Sequence, residues 1–314
     1  MLVFVTGAAG FVGTAVVQEL LAHNHRVLGL ARSKENADKL RALGAEVHEG
    51  SLEDEESLKA GAAKADGVIH LAFRHGGFND PAAGFQDGCE LDRRAILALA
   101  QPLFGTTKPL ITTSGTLMVV KQPGGSNLDE PATEDSPVLP LEKRPLPRVS
   151  EDMALSLASQ GIRASVIRLC PTVHGSGDNH GILSLLAKTA RQIGFVPCAR
   201  EGKGIPPAVV PGVHVRDAAA LYRLALEYAP AGSILHAVAE ERVPFREVMR
   251  ALAAKVDLEL KELGPEELKP MGMLAFFLQA INPTSSQKTR ELLGWTPKEV
   301  GLLEDLESDV YAFA

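Results

Sequence analysis

A chain of 314 residues is long enough for about two domains. Its 45% hydrophobic and 23% charged residues are the balance of a globular protein with a sizeable core, which excludes disorder, collagen and coiled coil. A net charge of −7, with no block of five or more basic residues, gives no electrostatic footing for nucleic acid or an anionic membrane surface.

Cys89, Cys170 and Cys198 are odd in number, widely spaced and without a CxxC pair. They predict neither a disulfide framework nor a metal site, and they fit a reducing, cytoplasmic compartment. The apolar opening, residues 1–17, lacks a basic n-region and reads as folded structure rather than a signal peptide. The later apolar run, 271–281, is about half the length of a membrane span and is expected to serve a core or an interface.

The first 75 residues alternate between short β-type runs and helical segments. Strands are predicted at 2–5, 26–30, 45–48 and 67–71, and helices at 11–23, 34–43 and 53–63. Val12, Val16 and Leu20 repeat at a spacing of four, and Gly44 stops the second helix. This alternation implies right-handed crossovers and a parallel sheet covered on both faces. A helix follows at 90–104 and a strand at 109–114. Residues 121–147, rich in Pro, Gly and acidic residues, are expected to form a long surface excursion. A helix at 150–160, with Ser150 as N-cap and Gly161 as stop, leads into a strand at 163–169. Beyond 175 the pattern is mixed, with helices at 182–192, 217–227 and 245–255 and strand-like pieces at 213–215 and 234–238. The predicted fold class is α/β: a Rossmann-type doubly wound parallel sheet over 1–174, with a returning strand and helix near 209–229. A smaller mixed C-terminal substrate-binding part covers most of 175–314.

Thr6-Gly7-Ala8-Ala9-Gly10-Phe11-Val12-Gly13 lies between the first strand and the first helix. In that context the glycines serve a tight turn, a close approach of the backbone to a pyrophosphate, and close helix–sheet packing, with the helix N-terminus facing the phosphates. The spacing is GxxGxxG rather than GxGxxG. Cofactor choice is decided at the end of the second strand, where an acidic residue would bind the ribose hydroxyls of NAD. Arg32 and Ser33 stand there instead. They predict NADP (NADPH) over NAD, through an arginine pairing with the 2′-phosphate; a solvated arginine at a strand end is the plainer alternative.

At this point the chain resembles the extended short-chain dehydrogenase/reductase superfamily, in its NAD-dependent epimerase/dehydratase family. Besides the glycine turn, the resemblance rests on five segments in the family's order. These are Val68-Ile69-His70-Leu71-Ala72, Ile111 to Thr116, Arg168 to Gly175, His214-Val215-Arg216-Asp217 with Asp217 as a helix cap, and Gln287 to Pro297 with its LGWTP ending. The resemblance implies that Gly7, Gly10 and Gly13 hold the pyrophosphate, with Phe11 and Val12 adding backbone contacts. It places Ser51 and Leu52 near the adenine, where the family commonly has Asp-Leu. Leu71 and Ala72 would flank the cofactor's middle, and Pro171 to Val173 would approach the nicotinamide. His75 is a candidate for a cofactor phosphate.

The family's proton donor, a Tyr four residues before a Lys, is missing. Tyr222 and Tyr228 are followed at that distance by Leu226 and Gly232, and Tyr311 has no such partner before the last residue. The matching positions hold Pro147 and Glu151, or Arg148 and Asp152 after a shift of one. Ser114 remains to hydrogen-bond a substrate oxygen, with His174 as an imidazole donor and Glu151 as a base. Each also has a bland reading: a satisfied strand-end hydroxyl, a packed loop histidine, and an acid at a helix N-terminus. The expected function is an NADP-dependent oxidoreductase acting on a small or medium carbonyl or alcohol, the proton coming from His174 or a bound water. The alternatives are a dinucleotide-binding regulator without turnover, like the NmrA-like members, and an epimerase or dehydratase. A small-molecule substrate is the expected partner. Relatives are often homodimers, but the sequence marks no interface.

Overall fold

The computed structural model describes residues 1–74, 81–121, 128, 130–140, 150–179, 181–202, 205–309 and 311, with only the backbone of 81–85. The first part runs β1 (Leu2–Thr6), α1 (Phe11–Ala22), β2 (Arg26–Ala31), α2 (Lys34–Ala42), β3 (Glu46–Glu49), α3 (Glu55–Lys64), β4 (Gly67–His70), α4 (Pro81–Ala100), β5 (Pro109–Gly115), α5 (Ser150–Ser159) and β6 (Arg163–Leu169). There follow β7 (Thr172–His174), α6 (Ile182–Ile193), β8 (Val196–Ala199), β9 (Val209–His214), α7 (Val215–Tyr228), β10 (Ile234–Ala237), β11 (Glu240–Pro244), α8 (Phe245–Val256), β12 (Leu260–Leu263), α9 (Pro265–Leu268), α10 (Met273–Leu278), α11 (Gln287–Leu293) and α12 (Leu302–Glu307). No described helix is long and apolar enough to cross a membrane.

Seven strands form one sheet in the order β10-β6-β5-β4-β1-β2-β3, every neighbouring pair parallel. The chain winds outward from β1 to β3 and then returns to β4 on the other side of β1. This reversal opens a crevice at the carboxyl ends of β1 and β4, where such sheets bind ligands. Val3, Phe4 and Val5 of β1 and Val68 and Ile69 of β4 have no exposure, because helices cover both faces. One face packs Val16 and Leu20 of α1 against Tyr222 and Leu226 of α7. The other packs Leu58 of α3, Leu99 of α4 and Leu157 of α5 against Leu110 and Ala164. Period-2 alternation sends Thr113 to the α7 side, where its hydroxyl lies 2.8 Å from that of Tyr222. Ser114 therefore faces the α5 side, and its Cα partner on β6 is Arg168.

A separate core joins Leu186 of α6, Leu252 of α8, Leu278 of α10 and Leu306 of α12. Two small sheets, β11-β9-β7 and β12-β8, frame it. The apolar run at 271–281 divides here: Ala275 and Leu278 enter this core, while Met273 is exposed.

Several elements depart from the sequence reading. The expected strand near 213–215 is the end of β9, which pairs with β7 and β11 rather than with the large sheet; the seventh strand is β10. Helix α4 begins at Pro81, well before 90. Asp217 is not a cap. His214 accepts the Arg216 N–H at the start of α7, while the Asp217 carboxylate accepts the backbone N–H of Lys298 (2.9 Å) and Glu299 (3.1 Å), tying down the LGWTP segment. Ser150 is the first described residue of α5, and its buried hydroxyl has no partner among the described residues. The stretch after Lys121 is not merely a surface excursion. Ala132 bonds through its backbone to Pro283 and Ser285, and buried Glu134 accepts from both the N–H and the hydroxyl of Thr289.

Candidate functional site

The glycine turn closes β1 as its spacing demands. Gly7 sits at φ +69°, and a Cβ there would lie 2.7 Å from the Ala72 nitrogen. At Gly13 a Cβ would lie 2.0 Å from the Gly7 carbonyl oxygen, so only glycine lets α1 come this close to the turn. Gly10 is exposed, and a Cβ there would meet only the Gly7 oxygen at 3.2 Å. Phe11 and Val12 open α1, whose first turn holds no acidic residue to compete with a bound anion. A turn of glycines and alanines leading into a helix N-terminus at the crevice fits the pyrophosphate of a dinucleotide.

A buried relay braces this turn from below. Thr6 Oγ accepts the N–H of Ala72 (3.3 Å) and lies 2.7 Å from Nδ1 of His70, which, in a neutral ring whose Nε2 carries the proton, accepts the hydroxyl proton. The Nε2–H of His70 then goes to Asp92 of α4 at 3.0 Å. The sequence reading took His70 only as part of an apolar strand and passed over Asp92. The one available signal was a histidine inside the run Gly67 to Leu71, where a buried polar group needs partners. Lys39 was missed as well: from α2 it donates to the Ala9 carbonyl at 2.8 Å, putting an ammonium beside the turn.

The exits of β2, β3 and β4 carry the other expected cofactor residues. Arg32 is exposed, and among the described residues it makes no hydrogen bond or ion pair. Ser33 caps α2 by accepting from the Asn36 N–H (3.3 Å). Ser51 bonds to the Glu53 carboxylate, and Leu52 packs on the α3 side of the core. Leu71 and Ala72 are half-buried at the crevice, as are Pro171 and Val173 near the β6 exit. His75, with Pro147 and Arg148, lies outside the described residues.

The three expected catalytic residues fare differently. Ser114 is buried, and its Oγ has no partner among the described residues. A buried hydroxyl left unpaired costs about 1–3 kcal/mol, so the position calls for a ligand or water. Glu151 is not available as a base: both carboxylate oxygens accept from the buried guanidinium of Arg168, Nε at 2.8 Å and Nη2 at 2.6 Å. That two-pronged pairing makes it a brace between α5 and β6. Arg168 also donates Nη1–H to Nε2 of His236 (3.0 Å), whose Nδ1–H goes to the Ser285 carbonyl (2.7 Å). Burial, and then the Arg168 charge, push the His236 pKa down to about 4.

His174 departs from the expected open position beside the nicotinamide. Its ring has no exposure, Nδ1 lies 2.7 Å from Asp305 of α12, and the ring packs edge-on against His214 at 5.4 Å. Burial, then the neighbouring His174, lower the His214 pKa. The three cysteines are buried, and burial pushes Cys170 up to about 12. Among the described residues no group of three His, Cys, Asp or Glu could hold a metal.

The family model of the NAD dependent epimerase/dehydratase family matches residues 3–237. The chain belongs to that family. It is 44% identical over 313 residues to an uncharacterised protein of Schizosaccharomyces pombe, covering 99% of this chain and 100% of that one. It is 28% identical to the decarboxylating sterol-4-alpha-carboxylate 3-dehydrogenase of Dictyostelium discoideum, covering 89% of this chain and 84% of that one. Among solved structures, UDP-glucose 4-epimerase of Thermus thermophilus in complex with NAD superposes with a TM-score of 0.72 at 25% identity, over 99% and 98% of the two chains. A Rossmann-type NAD(P)-binding fold therefore stands. Members of this superfamily are oxidoreductases, epimerases and dehydratases.

Proposed function

We propose that the protein is an NADP-dependent oxidoreductase acting on a small or medium organic carbonyl, or on the corresponding alcohol. The observation that carries this reading is Ser114, a buried hydroxyl at the carboxyl end of β5 without a partner among the described residues. In the order β5-β4-β1 it stands two strand spacings, about 10 Å, from the glycine turn. When bound, the nicotinamide supplies or accepts the hydride. Gly7, Gly10 and Gly13, with the start of α1, hold the pyrophosphate, and Arg32 meets the 2′-phosphate with Ser33 beside it. Leu71, Ala72, Pro171 and Val173 line the crevice and exclude water from it. Ser114 donates its hydrogen bond to the substrate oxygen and polarises the carbonyl. The proton is assigned to water, because Glu151 is occupied by Arg168 and His174 stands in the small β11-β9-β7 sheet, bound to Asp305 of α12, rather than on the large sheet with Ser114.

Binding of NADPH and NADH, measured side by side by cofactor fluorescence, tests the cofactor half. Preference for NADPH that Arg32→Ala removes supports it; equal binding of both by the native protein refutes it. Ser114→Ala tests the chemical half. Turnover should fall about a hundredfold or more with cofactor affinity intact, and a variant that keeps turnover refutes the role.

A regulator that binds the dinucleotide without turnover is the second reading. It is favoured by the placement of the tyrosines: Tyr222 lies against Thr113, Tyr311 accepts the Gly175 N–H, and Tyr228 is exposed at the end of α7.

A further inference from the structure

The loops leaving β3 and β4 meet although their strands do not. In the order β4-β1-β2-β3 those two strands stand three places apart, about 14 Å at the usual spacing. Yet Nη1 of Arg74, four residues past β4, lies 3.4 Å from Oε1 of Glu53, four residues past β3. The two loops lead into α3 and α4, which pack side by side, with the Arg74 carbonyl against Gly88 of α4, and Arg32 leaves β2, the neighbour of β3 in the sheet. Glu53 feels both cations: hydrogen bonds from its own backbone and from Ser51 hold its carboxyl below the usual range, and the charges of Arg74 and Arg32 lower it further. The Glu53 carboxylate thus has the Arg74 guanidinium in contact and the charge of Arg32 acting on it. The pair is open to solvent, with side-chain exposures of 46% for Arg74 and 55% for Glu53. A pair so exposed contributes little to folding.

We propose that Arg74 is the second cation for the adenosine 2′-phosphate and that Glu53 is its counterion while that position is empty. The inference rests on the NADP reading above. A phosphomonoester carries roughly −1.5 to −2 charge and three acceptor oxygens, more than one guanidinium neutralises. Arg32 approaches from the β2 side and Arg74 from the β4 side, and each can present a two-pronged donor edge to it. NADH brings no phosphate to that position, so Arg74 stays on Glu53 and contributes nothing to the affinity for NADH.

The full chain is titrated with NADPH and with NADH in native form and as Arg74→Ala, Arg32→Ala and Glu53→Gln. Arg74→Ala should weaken NADPH binding by roughly tenfold to a hundredfold and leave NADH within about twofold. The fall of NADPH affinity with added salt should become shallower in the same variant. Glu53→Gln, which removes the competing carboxylate, should tighten NADPH. If Arg32→Ala removes the NADPH preference while Arg74→Ala does not, the role of Arg74 is wrong and the NADP reading stands. Equal weakening of both cofactors by Arg74→Ala likewise overturns it, and a loss of NADPH affinity in Glu53→Gln overturns the counterion role. Equal binding of both cofactors by the native protein overturns the NADP reading itself, and this inference with it.

Discussion

Replacement of His236 by glutamine should make the fold more tolerant of acid. The imidazole is held neutral: Nε2 accepts from Arg168 and Nδ1–H donates to the Ser285 carbonyl, so a second proton has no acceptor and faces a guanidinium. Its pKa falls from 6.5 to about 4 on folding. A base with a depressed folded pKa takes up its proton more readily when unfolded, so its contribution is fully present above pH 6.5 and is lost as the pH falls toward 4. A difference of about 2.5 units at 1.36 kcal/mol each gives about 3 kcal/mol over that window, and about 2 kcal/mol by pH 5. Glutamine keeps one acceptor for Arg168 and one donor for Ser285 and cannot take the proton. Urea unfolding of both proteins at pH 7.5, 6, 5 and 4.5 reads the difference. The native protein should lose stability relative to His236→Gln across this range, because carboxylate titration is common to both. Parallel stability curves would refute the reasoning.

Gly13→Ala should cost about 1–3 kcal/mol in thermal unfolding and abolish dinucleotide binding, because the new Cβ would lie 2.0 Å from the Gly7 oxygen. Asp217→Ala should cost about 2–4 kcal/mol, read as a lowered Tm, since two backbone amides of the C-terminal segment lose their acceptor. His70→Ala should weaken dinucleotide binding more than it lowers Tm, as Thr6 loses the acceptor that orients it beneath the turn; a fall in Tm with unchanged cofactor affinity would count against the relay. His174→Gln should lower stability through the lost contact with Asp305 and leave the turnover of the folded fraction in place, which quantitation per folded molecule will check.

The parallel sheet was legible because its signal is local and repeated. Short apolar runs ended by glycines, with helical periodicity between them, place β1 to β6 within a residue or two of their observed bounds. Gly44 and Gly161 stop their helices at positive φ, as expected. Beyond Leu169 the strands are three to six residues long and pair with segments far away, β7 with β9 and β8 with β12. Their register is set by tertiary packing, which a short apolar stretch does not encode. Asp217 shows the same limit: an acid in a first turn reads as a helix cap, and only the fold brings Lys298 and Glu299 to it. The partners of Glu151 and His174 were out of reach for that reason, since Arg168 and Asp305 stand 17 and 131 residues away.

The distribution of buried charge bears directly on the chemistry. Arg168, with 1% exposure, is tolerated because Glu151 and His236 satisfy three of its nitrogens, and removing one partner would strand a charge. His70 is bound to Thr6 and Asp92, and His174 to Asp305. Glu151 thus has both oxygens, and His70 and His236 both nitrogens, held by neighbours, whereas the Ser114 hydroxyl and Nε2 of His174 have no partner among the described residues. A serine hydroxyl does not ionise between pH 6 and 9, so a reaction that takes its proton from water through Ser114 has no side-chain ionisation to report there. The expected kcat profile is level within about twofold over that range. A limb of unit slope with a break inside it would place a titrating donor at the substrate and return that role to a side chain.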